Sequence, residues 1–175
     1  MTRTFLNGWR IAGWGALLAL FLLPLIAMQF TAEVNWTGSD FVFAALLLGF
    51  LGGAVEFAVY GARSVPARLG LAIAAFAAFL TLWSNAAVGI IGAEDESLNI
   101  GFPLMVAGGL VAGLATRFRP RAMQAITAVL AVAQIVMGVV ATQVMPGHGV
   151  EWGVLGFFAL LWGGASLAFR RAGRA

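Results

Sequence analysis

Cysteine is absent from this 175-residue sequence, lysine is absent too, and there is one histidine and one tyrosine. Without cysteine the chain has no disulfide, no thiolate nucleophile and no cysteine-ligated metal or iron–sulfur centre. A single histidine, His148, cannot supply a pair of axial haem ligands, and no cofactor is expected. Charge is scarce as well. Charged residues make up 10% of the sequence and hydrophobic residues 62%, with a mean hydropathy of +0.97. A water-soluble domain of this length needs a more polar surface, so the composition points to a membrane protein. The length fits one transmembrane domain, residues 1–175.

What charge there is falls in a pattern. All ten basic residues are arginine. Arg3 and Arg10 open the chain. Arg63 and Arg68 occupy one break in the apolar sequence, Arg117, Arg119 and Arg121 another, and Arg170, Arg171 and Arg174 close the chain. Glu33, Asp40, the run Glu94-Asp95-Glu96, and Glu151 fill the alternate breaks. Such alternation marks a polytopic membrane protein whose arginine loops stay in the cytoplasm. The arginines come two or three at a time beside apolar spans. That suits the phosphates of anionic lipids and does not suggest nucleic-acid binding.

Six spans follow: Trp9 to Phe30, Ser39 to Gly61, Ala67 to Ile91, Leu98 to Phe118, Ala122 to Val144 and Val150 to Phe169. This is an all-α bundle of three hairpins with both termini cytoplasmic. The first apolar run, Ile11 to Ala27, is long enough to span. Met28-Gln29-Phe30-Thr31 is not a small-residue cleavage site, so the run is expected to be a retained helix rather than a signal peptide. Pro24 predicts a kink. Thr37 followed by Asp40 predicts a cap at the start of the second helix. Pro103 is tolerated near the start of the fourth, and Pro146-Gly147-His148-Gly149 predicts an outer turn. Trp9 and Tyr60 fall at the inner boundary and Trp36 and Trp152 at the outer, while Trp14, Trp83 and Trp162 lie deeper as packing residues. A weak repeat of about 56 residues fits three parallel hairpins or two inverted halves equally well.

Three groups of residues are candidates for function. Glu56 is the only ionisable side chain inside a span and clear of its last few residues at either end. It shares a helix face with Tyr60, and Arg10 lies at the foot of the first helix. It is either a carboxylate on a proton or cation pathway or a structural partner of Arg10 or Tyr60. Thr81, Ser84 and Asn85 share a face of the third helix. Thr127 and Gln134 share a face of the fifth, with Gln124 a turn earlier. These stripes line a polar seam or act as interhelical glue. The outer acids Glu33, Asp40, Glu94, Asp95 and Glu96, with Glu151, Asn35, Asn99 and His148, form a cation site or a solvated face. Gly109 and Gly113 have the small-xxx-small spacing that lets helices approach closely, within the bundle or in a homo-oligomer.

Several segments carry a resemblance. They are Ala27 to Thr37 with Asp40-Phe41 (MQFTAEVNWT at its centre); Asn85 to Gly92 with Glu94 and Asn99; Ala115 to Pro120 with Met123; and Phe157 to Trp162 with Phe169-Arg170-Arg171. Across nearly the whole chain these are similar to a family of small uncharacterised bacterial integral membrane proteins. The resemblance implies a bacterial inner membrane and no particular activity. Where the family suggests an Asn-Pro-Ala-Asn-like segment after Glu94, this chain reads Asp95-Glu96-Ser97-Leu98-Asn99. Three roles remain open: transport or permeation through the polar seam, a structural or assembly subunit of a membrane complex, or a membrane enzyme whose acid–base work would rest on Glu56 alone.

Overall fold

The computed structural model describes residues 8–93, 95–146 and 150–174. Among them it is all-helical: α1 Gly8–Ala27, α2 Gly38–Gly61, α3 Val65–Val88, α4 Gly101–Ala115, α5 Pro120–Val144 and α6 Trp152–Ala172, with a 3-10 turn, Ser97–Ile100, leading into α4. Each of the six, the fourth counted together with its 3-10 turn, is long and apolar enough to cross a membrane.

The helix ends have local causes. α1 stops at Ala27, three residues short of the expected Phe30. There the backbone tightens, with Gln29 and Phe30 donating to Ile26 and Ala27. Pro24 lies inside its last turn. At the start of α2 the Asp40 carboxylate accepts from both the Thr37 amide (2.6 Å) and the Thr37 hydroxyl (2.7 Å), which satisfies a donor the helix leaves open. Ser64 caps α3 by accepting from the Ala67 amide at 3.4 Å, with Pro66 in the first turn. Pro120, whose missing N–H costs nothing at that position, is the first residue of α5, two before the expected Ala122. α4 ends at Ala115, before the expected Phe118. Arg117 and Phe118 both take positive φ, 53° and 51°. Phe118 donates to Gly113 (2.8 Å) and Arg117 to Leu114 (2.9 Å), a Schellman closure.

The chain divides into two compact units at residue 53, within α2. In the first, α1 and the opening of α2 form an antiparallel hairpin. Trp14 and Leu17 press on Gly52, where an added Cβ would lie 2.7 Å from the Trp14 ring. Phe41 meets Phe21 and Trp36 edge-on, with centroids 5.7 and 5.3 Å away.

In the second unit α3, α4, α5 and α6 run alternately up and down. α6 packs on α3 and α5, and α4 packs on α5 and α3. Gly70 of α3 takes the Phe169 ring, Gly138 of α5 takes Leu155 and Trp152, and Gly109 of α4 takes Leu130. A Cβ at any of these would stand under 3 Å from its neighbour, so these glycines set the spacing of the helices. Gly109 and Gly113 are therefore spent on contacts within the chain. The arginine turns lie at one end of this unit, called here the arginine end. Asp95, Glu96 and Glu151 lie at the other, the acidic end. At the acidic end Ile90, Ile91, Phe102, Ala141, Leu155 and Phe158 form a closed apolar cluster.

Candidate functional site

The interhelical contacts fix the register of the polar residues. Gly70 faces Phe169, and Thr81 and Phe158 lie the same eleven residues further along α3 and α6 toward the acidic end. Gly138 faces Leu155, and Gln134 and Phe158 lie a similar step back toward the arginine end. Thr81, Phe158 and Gln134 therefore share a level. Asn85 is one turn nearer the acidic end and Trp162 one turn nearer the arginine end. At 1.5 Å per residue all of them fit in a slab about 12 Å tall.

Thr81 and Gln134 are fully buried and Trp162 is 3% exposed. Ser84 and Asn85 are half-buried. Among the described residues, the Thr81 hydroxyl, Asn85 Oδ1, both ends of the Gln134 amide and the Trp162 indole N–H have no hydrogen-bond partner. Buried polar groups are almost always paired, and each one that is not costs about 1–3 kcal/mol. Four such side chains in one slab, on three different helices, form a coherent polar layer within an apolar bundle.

Thr127, on the same face of α5 as Gln134, behaves differently. Its hydroxyl donates to the Met123 carbonyl at 2.7 Å, one turn back in its own helix. A hydrogen bond that ties α5 to α6 is made by Ser166, whose hydroxyl donates to the Gln124 carbonyl at 2.9 Å. Trp162 and Ser166 were not among the sequence candidates. Both sit at helical spacing with the buried residues Leu155, Phe158, Ala165 and Phe169. That spacing is the sequence signal that would have placed them on the inner face of α6.

Glu56 is half-buried on the part of α2 that belongs to the second unit. Its neighbour Phe57 stacks obliquely on Phe118, centroids 5.3 Å apart, which puts Glu56 toward the arginine end. Glu56, Tyr60 and Arg10 each take part in an electrostatic, hydrogen-bonding or ring interaction. Arg10 belongs to the first unit.

Of the outer acids, Asp40 holds Thr37 as described above, and Glu33 donates its backbone amide to the Thr31 hydroxyl. Glu94 and His148 lie outside the described residues. Among the described residues no three of His, Asp and Glu come together as a metal-binding group.

Asn99, considered from sequence only as a companion of these acids, has a different place. It is 2% exposed. Its Oδ1 accepts from the amides of Ile90 (3.2 Å) and Ile91 (3.0 Å). Its Nδ2 donates to the carbonyls of Ile91 (3.1 Å) and Ala93 (2.7 Å). This side chain thus folds the segment after α3 back over the bundle. α3 consequently ends at Val88 rather than at the expected Ile91, and Gly89 and Gly92 turn the chain with φ of 73° and 63°. Ile90 and Ile91 then close the acidic end directly above the polar layer. No family model, curated protein or solved structure matches this chain.

Proposed function

We propose that this chain is a multi-pass protein of the bacterial cytoplasmic membrane, with both termini in the cytoplasm. In this reading it admits or moves a small polar solute through the layer formed by α3, α5 and α6. The observation that carries it is the set of unpartnered buried polar atoms on Thr81, Asn85, Gln134 and Trp162. Evolved interhelical glue pairs its donors and acceptors, as Ser166 does with Gln124. An unpaired layer supports a guest instead. The bilayer surrounds the helices, and the arginine turns face the phosphates of anionic lipids.

The test is solute flux into liposomes containing the purified protein, with Asn85→Leu beside the unaltered chain. Flux that falls in Asn85→Leu while thermal stability hardly moves supports transport. A large loss of stability, with no flux in either protein, defeats it.

A structural or assembly role is the second reading, favoured by a different observation. Gly49 and Gly53 on α2, Gly108 on α4, and Gly153, Gly156, Gly163 and Gly164 on α6 have nothing within 4 Å of where a Cβ would stand. Open small-residue surface of this kind accepts a close-packed helix from a second copy or from a larger membrane complex.

A further inference from the structure

The chemistry of the polar layer narrows what it can hold; this step rests on the solute-pathway reading above. The unpartnered atoms are both donors and acceptors. Gln134 Nε2 offers two N–H groups, Trp162 Nε1 one and the Thr81 hydroxyl one. Gln134 Oε1, Asn85 Oδ1 and the Thr81 oxygen accept. None of these groups is ionisable in the physiological range. The layer is also surrounded by apolar side chains. Ile91 lies toward the acidic end and Ala165 and Phe169 toward the arginine end, while Leu155, Phe158, Phe102, Ala77 and Leu130 fill the same levels as the polar groups, all buried. The charged groups of this unit lie beyond them. Phe57, beside Glu56, packs on Phe118, which covers Gly113 at the arginine end of α4. The register contacts put that level roughly 7–12 Å along the bundle from Trp162.

A bare ion entering such a site would lose its hydration shell and meet no opposite charge, a loss of several kcal/mol that neutral dipoles do not restore. A neutral molecule with its own donors and acceptors exchanges water hydrogen bonds for side-chain hydrogen bonds nearly one for one. It also satisfies protein atoms that otherwise have no partner.

We propose that Gln134, Trp162, Thr81 and Asn85 form a binding site for a small uncharged solute that both donates and accepts hydrogen bonds, on the scale of water, urea or glycerol, and that the site rejects inorganic ions.

The experiment uses the full chain in proteoliposomes. Stopped-flow light scattering follows water, urea and glycerol, and entrapped indicators follow sodium, potassium and chloride. The expected result is permeation of at least one neutral solute above protein-free vesicles. Gln134→Met and Trp162→Phe should each lower it about tenfold, as loss of roughly 1.4 kcal/mol of interaction in the layer implies. Ion flux should equal that of protein-free vesicles. Sodium, potassium or chloride flux that disappears in Gln134→Met overturns the neutral-solute inference and leaves a pathway standing. Neutral flux untouched by either substitution overturns the site and moves the pathway elsewhere. No flux of any solute, from protein that unfolds cooperatively and elutes as one species, overturns the pathway reading itself. Gln134→Met keeps the length and apolar stem of the side chain, so a folding defect from lost volume does not confound the comparison.

Discussion

At the scale of single residues, Thr127 and Gln134 look alike in the sequence. Both are polar, both lie seven residues apart on one face of α5, and both are fully buried. They differ because a threonine hydroxyl is short enough to reach the carbonyl one turn back, and Thr127 does so. The Gln134 amide makes no such local bond, and its two polar ends depend on whatever lies across the bundle. Periodicity reports the face and not the partner. The seam was therefore legible in its residues, but its division into satisfied and unsatisfied members was not. Trp162 escaped because an indole reads first as bulk and only second as a donor. The division leads to an expectation about stability. Gln134→Met removes two unpartnered polar atoms and keeps most of the volume. It should leave the thermal midpoint equal or higher, with a gain of up to about 1–3 kcal/mol. Ser166→Ala, which breaks a made bond, should lower stability by about 0.6 kcal/mol. Scanning fluorimetry in detergent decides the matter, and a clear loss of stability in Gln134→Met would mean that its amide is structural glue. Glu56 supplies a contrast, because it does have a partner. Glu56→Gln should retain most of the stability, since the amide keeps one hydrogen bond. Glu56→Leu should cost about 1–3 kcal/mol in the same assay if the partner it leaves is buried.

At the scale of elements, the helices were readable because six apolar stretches of spanning length admit little else in a bilayer. The start of α2 was readable from the Thr37–Asp40 pair, whereas the Ser64 cap of α3 and the Pro120 start of α5 lie before the expected Ala67 and Ala122. The reading failed after α3. Val88 to Ile91 is as apolar as the helix before it, so hydropathy alone continues the helix. What stops it is Asn99, eight to nine residues on, which takes the amides of Ile90 and Ile91 for itself. A long-range side-chain competitor of this kind leaves no local trace. Gly89 marks the same switch. Its φ of 73° with ψ of 153° belongs to a region that only glycine occupies comfortably. An added Cβ there would also lie 2.7 Å from the Ala93 carbonyl oxygen. Gly89→Ala should therefore lower stability by about 1–3 kcal/mol. Asn99→Leu should cost at least as much, because it strands the buried amides of Ile90 and Ile91. Amide hydrogen exchange is the more specific readout. In Asn99→Leu the Ile90 and Ile91 amides should lose protection while the centre of α5 keeps its own. Unchanged protection at those two amides would show that the closed acidic end does not depend on this side chain.

At the scale of the whole molecule, the proposed orientation rests on the arginines and acids. The energetic argument is that arginine near a span end resists transfer across the membrane, and short loops follow that bias. In the proposed orientation Arg63, Arg68, Arg117, Arg119, Arg121, Arg170, Arg171 and Arg174 lie on the cytoplasmic side. Asp95, Glu96 and Glu151 lie on the opposite face with the loop that Asn99 folds. The proposed orientation would put the Ile90–Ile91 closure on the periplasmic side of the polar layer, so that in the proposed pathway a solute entering from outside meets the apolar cluster first. Because the chain has no cysteine, single cysteines report their own side without background. Arg119→Cys and Asp95→Cys form the decisive pair. Arg119 is the residue before Pro120 in the turn joining α4 to α5, and Asp95 lies in the turn before Ser97. Neither substitution enters the packed bundle. In intact cells an impermeant maleimide should label Asp95→Cys and spare Arg119→Cys, and after membrane disruption both should react. Labelling of Arg119→Cys from the periplasm would invert the orientation and place the closed end of the polar layer toward the cytoplasm.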